Sequence, residues 1–173
     1  MPRDDQRARV YAAEQFVRTL YDRAHEHGNG TVEFFGASIT LPPEARFGSV
    51  DSVRRYVDDV LALPTVRSRW PDAEPLAVRA RRGATAAHYE CDGNVATIAV
   101  PDRAHSASVR SPRETTWALR ELVVLHEIAH HLSRAEPAHG TEFVATFCEL
   151  TDAVMGPEVG HVLRVVYAKE GVR

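Results

Sequence analysis

Cysteine is scarce: Cys91 and Cys148 are the only two in 173 residues. They lie far apart with no CxxC spacing, which argues against a cysteine zinc site and against a disulfide framework. Both are expected as small buried residues, and a reducing cytoplasm is the simplest compartment. Apolar runs are short. None approaches the ~18–20 residues of a membrane span, so no membrane partner is expected. Met1 to Arg9 is polar and charged and no apolar stretch follows it, so a secretory leader is not expected. Basic charge is not in excess either: 21 Lys and Arg against 24 Asp and Glu leave a formal net charge of −3. That balance offers no strong field for nucleic acid. There is no internal repeat and no low-complexity stretch.

What remains has the make-up of an ordinary globular protein, 44% apolar and 26% charged, and the length fits one domain over residues 1–173. Val10, Ala13, Val17, Leu20, Tyr21 and Ala24 recur at helical spacing between about Asp4 and His27, and Gly28 supplies a stop. Thr31 to Leu41 reads as a strand. Asp51 to Leu63 reads as an amphipathic helix, capped by Ser49 or Asp51 and closed by Pro64. The middle is β in character: Leu76 to Arg82, Ala84 to Cys91 and Asn94 to Val100, the last two flanking an Asp92-Gly93 hairpin signal. Pro101 to Arg110 reads as a loop. Ser111-Pro112-Arg113-Glu114 then has the features of a helix start, and the helix is predicted to run from about Pro112 to Ser133. Its apolar residues fill more than one stripe, which predicts burial on several sides. Two further helices follow, from about Thr141 to Met155 and after Gly156-Pro157. The order predicts an α+β domain whose small, mostly antiparallel sheet packs on helices.

Inside the long helix stands His126-Glu127-Ile128-Ala129-His130. A spacing of four stacks both imidazoles on one face, about 6 Å apart at Cβ, so two nitrogens can meet one ion. Glu127 can then reach a metal-bound water without ligating the metal. Zinc lowers the pKa of such a water to about 7, and a carboxylate takes its proton as it attacks a carbonyl. Imidazole ligands favour Zn2+, with manganese, iron or nickel as alternatives. The competing reading is a set of histidines satisfied by hydrogen bonds, but here they interrupt an otherwise apolar face, where unpaired polar groups are costly. The third ligand is open. His139, beyond a short loop and beside Gly140, ranks first by ligand type and reach; Glu149, Glu136 and Glu142 are the alternatives.

His126-Glu127-Ile128-Ala129-His130, followed by His139-Gly140 and then Phe143, resembles the active-site pattern of SprT-like zinc metallopeptidases. The resemblance covers about 126–143 and implies a zincin-like fold with the two-histidine helix central and packed under a small sheet. A longer likeness takes in Gly48 to Leu63, Val78 to Gly83, Ala87 to Glu90, Ile98 to Pro101 and Trp117 to Leu125. In these segments the chain is similar to a family of small actinobacterial HExxH metallohydrolases. That likeness implies the same metal site and specifies no substrate.

The expected function is therefore a zinc-dependent hydrolase, most simply an intracellular peptidase acting on a peptide or protein. The metal ligands would be His126, His130 and His139, with Glu127 as general base. The alternatives are a non-peptide amide or ester hydrolase and a non-catalytic metal-binding regulator. His131 points about 100° away from His130 and is expected to pack or support. Glu114 and Glu121 are expected to be solvated or capping, Arg81-Arg82 to sit in a solvated turn, and Trp70 and Trp117 to be core. His88, His105, His161 and Tyr167 are weaker candidates for the cleft or for oxyanion support. The strand Asn94 to Val100 is a candidate edge for an extended substrate.

Overall fold

The computed structural model describes residues 3–82, 86–102 and 119–173. The predicted loop after Pro101, the Ser111–Glu114 helix start, His105 and Trp117 lie outside them. The elements are α1 (Arg7–His27), β1 (Thr31–Phe34), β2 (Ala37–Thr40), α2 (Val50–Ala62), α3 (Pro64–Arg69), β3 (Leu76–Arg81), β4 (His88–Asp92), β5 (Val95–Pro101), α4 (Glu121–Ser133), α5 (Thr141–Val154) and α6 (Pro157–Lys169). The α+β expectation holds. The chain divides into two compact units, Met1–Glu44 with Ser133–Arg173, and Ala45–Leu132.

In the first unit, α1 buries Val10, Ala13, Val17, Leu20, Tyr21 and Ala24, the stripe its spacing predicts, and Gly28 ends it in the left-handed conformation. Helix α1 packs on α6 and α5 on α6. Phe143, Phe147 and Leu150 of α5 and Val159, Val162 and Leu163 of α6 are wholly buried. One polar link runs through this core: the Tyr167 hydroxyl donates to Glu14 Oε1 at 2.8 Å. Burial pushes the Tyr167 phenol well above its ordinary range, so it stays neutral and donates. Thr31 to Leu41 is a correction: it forms a hairpin, not one strand. Phe34 pairs with Ala37, and Phe35 and Gly36 both take positive φ, as a type I′ turn requires. A phenylalanine in that conformation is uncommon, so the turn carries no ordinary sequence signal.

In the second unit, α2 begins at a reciprocal cap in which Ser49 and Ser52 satisfy each other's backbone N–H groups. Its apolar face of Val53, Val57 and Val60 is buried. Pro64 does not simply close α2: it opens the short helix α3, where a missing N–H costs nothing at the first position. Trp70, read as core, is half-buried with the Arg69 guanidinium 5.3 Å from its ring. The sheet is mixed. Strand β5 is central, parallel to β3 and antiparallel to β4. The hairpin turn falls on Gly93-Asn94, one residue later than predicted, because Asp92 pairs with Val95. The predicted helical run through Leu119 and Arg120 is also corrected. Arg120 forms an antiparallel bridge with Arg46, flanked by Phe47 N–H donating to Leu119 O and Glu121 N–H donating to Ala45 O, both at 2.9 Å. Helix α4 starts only at Glu121. Among the described residues, no helix is long and apolar enough to cross a membrane.

The cysteine expectation divides. Cys148 is buried and Cys91 is exposed on β4. Burial pushes the Cys148 thiol up to about 12. Alkylation of the folded protein near neutral pH, followed by mass spectrometry, should therefore give a single adduct at Cys91. A second, at Cys148, should appear only on unfolding, since reactivity requires an accessible thiolate.

Candidate metal centre

Helix α4 is apolar through Leu122, Val123, Val124, Leu125, Ile128 and Ala129, all buried. Into this surface the sequence inserts His126, Glu127 and His131, exposed by only 2%, 6% and 2%. Such groups persist in a core only when hydrogen-bonded or ligated.

His126 and His130 stand one turn apart with their Nε2 atoms 3.1 Å from each other and their rings edge to face. Two imidazole nitrogens on one tetrahedral zinc, each about 2.0–2.1 Å from it, would lie about 3.3 Å apart. The separation of the pair is close to that value. Glu127 lies on the same turn. Its Oε2 accepts the backbone N–H of Tyr89 at 2.8 Å, which anchors the carboxylate to strand β4. The Tyr89 ring stacks on His130 with centroids 6.2 Å apart.

His131 is buried and hydrogen-bonded to partners of its own. Its Nε2 lies 2.8 Å from Glu74 O, and a carbonyl can only accept, so Nε2 carries the proton. Nδ1 is then the acceptor for the Tyr89 hydroxyl at 3.5 Å. Glu121 departs from its reading as a solvated or capping residue. It is buried, and its two oxygens accept Ala45 N–H at 2.7 Å and Tyr56 O–H at 2.6 Å.

His139 sits just ahead of α5, in a tight turn where Gly140 N–H donates to Pro137 O at 2.9 Å. A Cβ at Gly140 would come within 3.1 Å of that carbonyl and 3.3 Å of the Pro137 ring, so glycine suits the turn. The His139 ring meets the edge of the wholly buried Phe143 at 5.1 Å and Tyr11 at 5.2 Å. His139 Nδ1 lies 2.7 Å from Asp4 Oδ2.

His126, His130 and His139 each offer one ligand atom, all within 4.8 Å of one another, and the group could hold a metal ion. An all-imidazole donor set suits zinc. The alternative third ligands do not join the group: Glu136 and Glu142 are exposed, and Glu149 stands half-buried on α5. Nor do the weaker candidates. His88 and His161 are exposed and Tyr167 is committed to Glu14. Arg81, expected in a solvated turn, instead ends β3 half-buried and donates to Ala86 O. Sequence reasoning missed Asp4 and Tyr89. Asp4 lies 135 residues from its partner, and Tyr89 acts through its backbone, so neither leaves a signal of spacing or residue type.

The candidate substrate strand is also corrected. Asn94 to Val100 became the central β5, paired on both sides. Strand β4 is the one that meets Glu127, and on the side away from β5 it has no strand neighbour among the described residues. Comparison with family models, curated proteins and solved structures gave no match.

The geometry predicts a structural cost at the head of α4. Glu121→Ala strands the donors at Ala45 and Tyr56 and should destabilise the fold by about 2–4 kcal/mol; Tyr56→Phe, which removes one donor, should cost about 1–2 kcal/mol. Denaturant unfolding with an unchanged m-value checks both.

Proposed function

We propose that the protein is a zinc-dependent hydrolase, with a zincin-like arrangement of ligands and a peptide or protein as substrate. The observation that carries the reading is the convergence of three imidazoles beside a buried carboxylate that is not one of them. His126, His130 and His139 would hold the ion. When bound, zinc supplies Lewis acidity, acidifying water to a pKa near 7 and polarising a carbonyl. Glu127 acts as general base: it takes the proton from the attacking water and returns it to the leaving nitrogen. The Tyr89 N–H fixes that carboxylate, so its direction does not depend on side-chain rotamers alone. Apolar neighbours keep the carboxylate and imidazoles partly dehydrated, which strengthens their interaction with charge developing in the transition state. The extended strand β4 running past Glu127 favours a peptide substrate, since an extended chain can add to a strand edge.

Elemental mass spectrometry joined to a peptide-library screen tests the reading. The protein should carry about one zinc per chain. His126→Ala and His130→Ala should lose it. Glu127→Gln should keep it while turnover falls by roughly 10²–10⁴-fold, the share typical of general base catalysis. Absence of metal in the wild type after zinc is supplied would overturn the site. Metal binding with Glu127→Gln as active as wild type would leave a metal site without this mechanism. Turnover of simple amides or esters but no peptide would replace the peptidase by a small-molecule hydrolase.

A further inference from the structure

We infer that Asp4 is the positioning residue for His139, holding it in the tautomer and orientation that ligation needs. The inference rests on the zinc reading above and adds to it a residue outside the motif.

A carboxylate oxygen can only accept, so the 2.7 Å contact between Asp4 Oδ2 and His139 Nδ1 places the ring proton on Nδ1. The lone pair then belongs to Nε2. Neutral imidazole in water favours the opposite tautomer, so the carboxylate selects the form suited to ligation through Nε2. Metal-bound histidines commonly donate their other N–H to a carboxylate or carbonyl, which fixes the ring and raises its basicity. The surroundings make Asp4 more than a chance neighbour. The His139 side chain is 5% exposed and that of Asp4 26%, so the contact is largely shielded from water. Two residues on, Gln6 donates from Nε2 to His139 O at 3.4 Å and to Arg173 O at 2.9 Å, and its Oε1 accepts Arg173 N–H at 2.6 Å. Thr141, two residues past His139, also donates to Arg173 O, at 3.0 Å. The segment bearing Asp4 is thereby tied to the His139 turn through backbone atoms, which holds the carboxylate opposite Nδ1.

A tether and a positioning group differ in what they do to the ring. Long-range proton–nitrogen NMR spectra of the metal-free protein read the His139 tautomer directly, and competition with a chromogenic chelator reads zinc affinity. Wild type should show the Nδ1–H form. Asp4→Ala should shift His139 towards Nε2–H and weaken zinc binding roughly 10–100-fold. Asp4→Asn, whose amide oxygen accepts the same hydrogen bond without the charge, should keep the tautomer and recover part of the affinity. Asp4→Ala with wild-type tautomer overturns the inference, whether zinc binding is kept or lost. If Asp4→Ala does not fold, Asp4→Asn carries the test, and an affinity equal to wild type with the Nε2–H form overturns it. A wild type that takes up no zinc fails the metal reading itself. Zinc binding that His139→Ala weakens and Asp4→Ala does not fails the inference alone.

Discussion

Helix α4 commits this protein to an expensive arrangement: titratable side chains on a surface that is otherwise buried and apolar. A polar group taken from water without a partner costs several kcal/mol, and a charge costs more. Glu121, Glu127 and His131 are matched accordingly, each with a partner from the backbone. Glu121 takes the N–H of Ala45, Glu127 the N–H of Tyr89, and His131 gives its proton to the carbonyl of Glu74. Backbone partners belong to strands and turns that are themselves hydrogen-bonded, so they cannot swing away as side chains can. The 45–47 segment and strand β4 are thus held by the polar residues of α4 as well as by apolar burial.

The same constraint explains the unit that carries His139. The buried imidazole answers to Asp4, and the buried phenol of Tyr167 to Glu14. In both, a carboxylate on or just before α1 meets a donor from the C-terminal part of the chain. Apolar packing of α1 on α6 brings the elements together. A slip of one residue would strand a buried donor, so the polar contacts favour the register that apolar packing alone leaves less defined.

Much of this was legible in the sequence, and the exceptions have specific causes. Helices α1, α2, α5 and α6 were visible because their apolar periods run for three turns or more. The two-histidine turn was visible because ligand spacing is a local property of a helix. The β1–β2 hairpin was hidden by Phe35, which takes a conformation usually left to glycine or asparagine. Helix α3 was hidden because Pro64 ends one helix as readily as it begins another. The start of α4 was misplaced because Leu119 and Arg120 fit a helical stripe, yet their backbone groups pair with residues 45–47, far away in sequence. Asp4 and Tyr89 were hidden for the same reason: long-range hydrogen bonds impose no period on either segment.

The exchange of β5 for β4 beside Glu127 changes what the peptidase reading demands. A peptide adding to β5 would have to break one of two existing ladders, the six-residue pairing with β3 or the five-residue pairing with β4. Adding to the outer side of β4 breaks neither. It would, however, meet the Tyr89 N–H, which already donates to Glu127. A substrate carbonyl that competed for this donor would loosen the carboxylate that the proposed mechanism needs held. On that reading, orientation of the general base and docking of the substrate backbone draw on a single N–H. A peptide seated along β4 would therefore have to leave the Tyr89 N–H to Glu127 and draw on other backbone groups of the strand. That constraint rests on the backbone of β4 rather than on any side chain that a motif could register.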